Sequence, residues 1–193
     1  MKYYISDIHF GHYNIIRMDG RPFKNTEEMD KTIIDNWNAR VTDEDEVYII
    51  GDLSFRGSSP EYYLKQLKGK KILIIGNHDL NWADRNSKGY NREAVSYLRK
   101  IDKMMQIQDN IDKEQVVIQL CHYPIAEWNG FFRGDYLVYG HIHNNMNDAY
   151  WFMRKYDKAL NAACCINNYM PVTLKELIVN NETFKKELIL HMK

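Results

Sequence analysis

A chain of 193 residues is long enough for one domain with a proper core and too short for two comfortable ones, so a single domain over residues 1–193 is expected. With 45% apolar, 13% aromatic and 27% charged residues, it reads as an ordinary folded soluble protein, which excludes a disordered or membrane-spanning chain. Lysine plus arginine balance aspartate plus glutamate at 26 each, so no overall field draws the protein to nucleic acid or an anionic bilayer, and attraction for an anion must be local.

The first apolar run, Lys2 to Ser6, is a predicted strand. It reaches Asp7 before a signal-peptide core can form, and no later run has the length of a membrane span, so a cytoplasmic location is expected. Asn25 to Arg40 is a predicted helix with Asn25 as N-cap, Glu28 three residues on, and Met29, Ile33, Ile34 and Trp37 on one face. Strands follow at Val47 to Ile50 and Lys71 to Ile75. Between them a helix opens at Ser59-Pro60 and stops at Gly69. Lys68, Lys70 and Lys71 need no nucleic acid, because a solvated helix end and strand start account for them.

Asn91 to Ile101 is a third predicted helix. Met104 to Gln108 and Gln115 to Cys121 flank a polar turn and read as a hairpin whose second strand has its apolar core at Val116 to Cys121. Tyr136 to Tyr139 is the last predicted strand, and Thr173 with Glu176 forms a capping box for a final helix whose end near Asn180 and Asn181 the pattern does not place. Most strands are continuous runs of Val, Ile, Leu and Tyr, so layers must cover both of their faces, and parallel crossovers mix with antiparallel pairs. Aromatic residues fill the loops: Trp82 and Tyr90, then Trp128, Phe131 and Phe132, then Tyr150, Trp151, Phe152 and Tyr156. Core or interface is the expectation for most of them, with stacking on a substrate base as the alternative. The three cysteines, Cys121 and the adjacent Cys164 and Cys165, fit neither a disulfide framework nor a CxxC site and read as reduced thiols.

Five apolar runs end in residues built to hold a metal: Asp7-Ile8-His9, Gly51-Asp52, Gly76-Asn77-His78-Asp79, His122, and Gly140-His141-Ile142-His143. Asp7 and His9 are two apart, as are His141 and His143, and in an extended segment that period puts each pair on one side of the chain. Neighbouring strand ends would bring Asp52, Asn77 and His122 to the same place. Two aspartates, an asparagine and four histidines are more donors than one tetrahedral ion takes, so two divalent ions sharing a bridge fit better. Such a pair carries four positive charges against two carboxylates, a local excess able to hold a phosphate on a neutral protein. Ions about 3.5 to 4 Å apart acidify a water between them and clamp phosphoryl oxygens, which matches phosphate ester hydrolysis.

Together these motifs, with Arg56 after Gly51-Asp52, resemble the signature of the calcineurin-like metallophosphoesterases over residues 7 to 143, in the family's order. Phe10-Gly11-His12-Tyr13-Asn14-Ile15-Ile16 further resembles a group of small bacterial and phage phosphoesterases. The resemblance implies an α/β fold, a four-layer α/β/β/α sandwich of two mixed sheets with metals at the strand ends. It implies one ion on Asp7, His9 and His143, a second on Asn77, His122 and His141, and Asp52 bridging both. His78 would serve the leaving-group oxygen as proton donor or charge stabiliser, with Asp79 orienting it, and Arg56 would hold a phosphoryl oxygen. The cofactors implied are two divalent transition-metal ions, manganese first, with iron, nickel, cobalt or zinc as alternatives. The activity implied is phosphodiester hydrolysis by a water activated between the ions. A phosphomonoesterase or nucleotide hydrolase, and a catalytically weak scaffold for partner proteins, are the alternatives.

Taken singly, an aspartate at a strand end is a turn residue and a histidine a hydrogen-bonded bystander. The ordered set takes up five of seven histidines. Of the other two, His191 is expected to be exposed, and His12 either reaches the substrate or shapes its loop. Asp79 has a turn-cap alternative and Arg56 a surface-loop alternative. A small phosphate ester, with a nucleotide open, is the expected binding partner, and a homo-oligomer is also open.

Overall fold

The structure, a computed structural model, describes residues 1–191, and within the last helix it describes side chains as far as residue 186, so the surroundings of His191 lie outside the described residues. Two four-stranded sheets form its centre. The first comprises β1 (Lys2–Ile5), β2 (Glu46–Ile49), β3 (Lys70–Ile74) and β4 (Leu98–Asp102), in that order, with parallel pairing throughout. An antiparallel bridge from Tyr4 to Val172 lines its β1 edge. The second comprises β5 (Met104–Ile111), β6 (Glu114–Cys121), β7 (Tyr136–Tyr139) and β8 (Ala159–Asn161); β5 and β6 are antiparallel, and the other pairs are parallel.

Strand alternation divides the core into three layers of apolar contact. Tyr3, Ile5, Val47, Ile49 and Leu73 face outward to the helices α1 (Tyr13–Met18), α2 (Thr26–Arg40), α3 (Pro60–Leu64), α4 (Leu80–Ala83) and α5 (Arg92–Ser96), meeting Ile15, Met29, Ile33, Trp37, Leu64 and Ala94. Their neighbours Tyr4, Tyr48, Ile72 and Ile74 face the other way and pack on Ile118, Leu120, Val138 and Leu160 of the second sheet. Leu137, Tyr139 and Ala159 point to the far side, onto Trp128, Ile142 and the helix α6 (Asp148–Met153). The result is a four-layer α/β/β/α sandwich. The last helix, α7 (Leu174–His191), closes the gap between the sheets with Leu174 and Leu177.

Local chemistry explains most element ends. Asn25 Oδ1 accepts the Glu28 N–H at 2.9 Å, while the Glu28 carboxylate reaches past the cap to the Lys24 N–H at 2.8 Å. Glu176 completes its box, accepting the Thr173 N–H at 2.8 Å, and pairs with the Arg40 guanidinium through both oxygens. The predicted helix over 91–101 is only half right: capped by Asn91, it stops at Ser96, and Leu98 to Asp102 pairs with β3 as an edge strand. Sheet pairing outweighs the local helical preference there. The helix expected to reach Gly69 ends at Leu64 and continues as tighter turns, Gln66 to Tyr63 and Leu67 to Leu64. Asn180 and Asn181 do not end the last helix. β8 has no sequence signature, being three residues long. Lys71 is buried, not solvated, with its ammonium on the Leu67 and Gly69 carbonyls. Among the aromatics, Trp82, Trp128 and Tyr150 are buried, while Phe132 is exposed. The three cysteines are free.

Candidate metal centre

Parallel pairing puts the carboxyl ends of β1, β2 and β3 on one edge, and the ends of β6 and β7 face them from the second sheet. The five motifs therefore meet at one place. The approach is close. A Cβ on Gly51 would lie 2.2 Å from His122 Nδ1, and one on Gly76 would lie 2.3 Å from Asp52 Oδ1, so glycine is the residue that lets these loops nest.

Extended-strand alternation does not bring the paired residues together, contrary to the sequence expectation. Asp7, His9, Asp52, His141 and His143 all have positive φ, at 53°, 55°, 56°, 73° and 51°. Each turns through the left-handed region, which is costly for a residue with a Cβ and is kept where the surroundings over-determine it. The chain uses these tight turns to crowd donors into a small volume.

His9 Nε2 lies 3.2 Å from His143 Nε2 and 3.6 Å from Asp52 Oδ2, and His143 Nε2 lies 3.4 Å from Asp7 Oδ1. On the other side, His122 Nε2 lies 3.5 Å from Asp52 Oδ2 and 3.1 Å from Asn77 Oδ1, which is also 3.0 Å from His141 Nδ1. Asp52 thus sits between two donor groups. Asp7 with His9 and His143, His9 with Asp52 and His78, and Asp7 with Asp52 and His122 each bring three potential ligand atoms within 4.8 Å of one another. His78, placed by the resemblance outside the ligands, is close enough to belong to one of these groups.

The hydrogen bonds test whether a cation fits. His122 Nδ1 bonds the Ile50 carbonyl at 2.8 Å, which can only accept, so Nδ1 carries a proton and Nε2 is the nitrogen that faces the oxygens of Asn77 and Asp52. His143 Nδ1 bonds the Asp19 carboxylate at 2.9 Å, which turns its Nε2 inward in the same way. His9 Nδ1 is buried without a partner. Burial drives the His9 imidazole well below its ordinary pKa, with His143 adding to it, and drives the Asp52 carboxyl up against the pull of His122. Converging ring nitrogens, two buried aspartates and an Asp52 carboxyl that resists its charge fit divalent cations with nitrogen and oxygen ligands.

Asp79 makes its hydrogen bonds to the backbone. Fully buried, it accepts the N–H groups of Asp52 at 2.7 Å, Gly76 at 3.0 Å and Leu53 at 3.1 Å. Its carboxylate is therefore spent on stitching the β2 and β3 loops together, and His78 Nδ1 is buried with no hydrogen-bond partner. Burial, with Asp52 beside it, pushes the Asp79 carboxyl up to about 6 against those three bonds. The His78 N–H donates to Asp52 Oδ1 at 2.8 Å. His12 is buried, stacked on Phe55 with ring centres 3.7 Å apart, and its ring centre is 5.8 Å from that of His9. Arg56 is exposed and lines a cavity of about 710 Å³ that opens beside Asn77 and His78, with Phe55, Asn81 and Trp82 in its walls.

Asp19 and Arg21 escaped the sequence reading. Both are buried at the site's base, joined by Arg21 Nη2 to Asp19 Oδ2 at 2.9 Å. Burial pushes the Asp19 carboxyl up, but the bond from His143 and the charges of His143 and Arg21 bring it below its ordinary value. In sequence, Asp19-Gly20-Arg21 reads as a plain turn.

A sequence model of the calcineurin-like phosphoesterases matches residues 3–145. The chain is 35% identical over 180 residues to an uncharacterized protein of Methanocaldococcus jannaschii, covering 92% of this chain and 88% of that one. It is 26% identical over 163 residues to the gene 66 protein of Mycobacterium phage D29, covering 75% and 79%. Among solved structures, a protein of unknown function from Aquifex aeolicus matches with a TM-score of 0.64 at 26% identity, over 91% of this chain and 96% of that one. The matched span runs from β1 past His143 and holds every group described above, so this chain belongs to the calcineurin-like phosphoesterase family and is a metal-dependent phosphoester hydrolase.

Proposed function

We propose that the protein hydrolyses phosphodiesters at a dinuclear centre. Asp7, His9 and His143 would hold one ion, Asn77, His122 and His141 the other, and Asp52 would be shared. The observation that carries this reading is the position of Asp52 Oδ2, 3.6 Å from His9 Nε2 and 3.5 Å from His122 Nε2, midway between the two donor groups. When bound, two divalent ions supply Lewis acidity to the phosphoryl oxygens and make water a nucleophile near neutral pH. Manganese is the first choice on the resemblance to the family, ahead of iron, nickel, cobalt and zinc, and a set of nitrogen and oxygen ligands without thiolate admits all five.

The chain's own groups do the remaining work. His78 lines the cavity beside Asn77, where its imidazole would protonate the departing oxygen. Arg56, on the same wall, has the reach and charge to hold a phosphoryl oxygen. Asp79 acts through the backbone, fixing the amides that flank Asp52. His12, stacked on Phe55 beside His9, shapes the loop that follows the first ligands. The diester preference draws on the resemblance to small phosphoesterases and on the cavity beside His78, which has room for a second ester substituent, a nucleoside included. The cytoplasm is the proposed location, and among the described residues no helix is long and apolar enough to cross a membrane.

The test is turnover of bis-p-nitrophenyl phosphate and p-nitrophenyl phosphate by metal-stripped protein reconstituted with each of the five metals. Faster hydrolysis of the diester is expected, with manganese the best activator. No turnover of either ester with any metal would overturn the proposal, and preference for the monoester would overturn its substrate class.

A further inference from the structure

We infer that the buried pair Asp19 and Arg21 positions one half of the metal centre, setting Asp7, His9 and His143 while leaving the other half untouched. The inference rests on the ligand assignment proposed above. Asp19 is 7% exposed and Arg21 4%, and nothing in the hydrolytic chemistry uses either directly. A buried ion pair rarely stabilises a fold more than apolar packing of the same shape would, so its placement calls for another reason.

The guanidinium supplies part of that reason. Arg21 Nη2 donates to the Asp7 carbonyl at 2.9 Å and Nη1 to the Ile8 carbonyl at 2.8 Å, while Nε and Nη2 hold Asp19 Oδ2. Those two carbonyls belong to the short stretch between Asp7 and His9, both at positive φ. Arg21 thus clamps the backbone exactly where two ligands of one ion depend on an unfavourable turn.

Asp19 supplies the rest. Its carboxylate accepts a hydrogen bond from His143 Nδ1–H at 2.9 Å, which leaves Nε2 free to face Asp7 and His9. Asn144 Nδ2 donates to the Asp19 carbonyl at 2.9 Å and ties the loop after His143 to the same turn. Among the ligands proposed for the second ion, His122 and Asp52 have supports of their own, and His141 is held by its N–H to both Asp7 oxygens at 3.0 Å, bonds that do not pass through the Asp19 carboxylate. His122 is oriented by the Ile50 carbonyl, and the backbone around Asp52 is held by Asp79. Loss of the Asp19 carboxylate should therefore weaken one ion and spare the other.

Manganese titration of the metal-stripped full chain by calorimetry, with electron paramagnetic resonance of the loaded protein, tests this. Two ions are expected in the unsubstituted protein. In Asp19→Ala one of the two affinities should fall about 10- to 100-fold, the range for losing a group that orients a ligand, with the other unchanged. The spectrum should pass from that of a coupled pair to that of a single ion, and the nitrogen shifts of His143 should show that its Nδ1 proton is no longer fixed. Should Asp19→Ala fail to fold, Asp19→Asn, which keeps the shape and an acceptor oxygen, carries the same test with a smaller selective loss. Parallel weakening of both ions, or no weakening, overturns the inference. An unsubstituted protein that binds no manganese refutes the ligand assignment itself, a distinct result.

Discussion

Replacing Asp79 separates two roles that the sequence alone could not. In Asp79→Ala, the N–H groups of Asp52, Leu53 and Gly76 lose their shared acceptor inside the protein. Each unpaired buried donor costs about 1–3 kcal/mol, and relief of the carboxylate's crowding by Asp52 offsets part of the sum, leaving a net loss of about 3 kcal/mol. For a domain of this size that is a fall of about 6–12 °C in melting temperature. Asp79→Asn keeps the two bonds made by Oδ2 if its carbonyl takes that place, but it turns an amide donor toward the Leu53 N–H, so about 2 kcal/mol is expected. Thermal and urea melts of the metal-free protein, where no ion compensates, read both values. A melting temperature for Asp79→Ala within about 2 °C of the unsubstituted protein, together with a large loss of turnover, would refute this reasoning and return Asp79 to the orientation of His78.

His78→Ala should lower turnover strongly while bound metal, measured by elemental analysis, stays unchanged; loss of metal together with activity would instead make His78 a ligand. Gly51→Ala forces a methyl into His122 at a φ of +84°, and a loss of about 2 kcal/mol or more is expected in denaturant melts together with weaker metal uptake. Asp45 is held down to about 2, first by the Met1 amine and then by the Thr42 N–H and hydroxyl. A carboxyl with a lowered folded pKa contributes stability that is present above about pH 4 and lost as the pH falls toward 2, so the acid limb of a melting-temperature profile should flatten in Asp45→Asn. An unchanged acid limb would count against that contact.

Much of the frame was legible because it is written in local patterns. The apolar runs at 2–6, 47–50, 71–75, 116–121 and 136–139 are strands, and Asn25 and Thr173 cap helices as their side chains require. Where local pattern and tertiary pairing disagree, pairing wins. Leu98 to Asp102 has helical periodicity but finds a free parallel edge on β3, whose hydrogen bonds no window of sequence reveals. β8 is too short to carry a pattern and exists because β7 offers it an edge.

Although each alone reads as a turn residue or a bystander, that Asp7, His9, Asp52, His122 and His143 would meet could be expected from the ordered set of motifs along the chain. How they are brought together could not. The left-handed turns at Asp7, His9, Asp52, His141 and His143 replace the strand alternation that spacing implies, and a backbone angle that only surrounding contacts sustain leaves no mark in composition or periodicity. Asp79 and Asp19 show the same limit from opposite sides. One stands beside the histidine it was expected to orient and bonds backbone amides, while the other lies far along the chain from His143 and orients it. Residue type says which bonds a side chain is able to make, and only the folded chain decides which partner comes within reach.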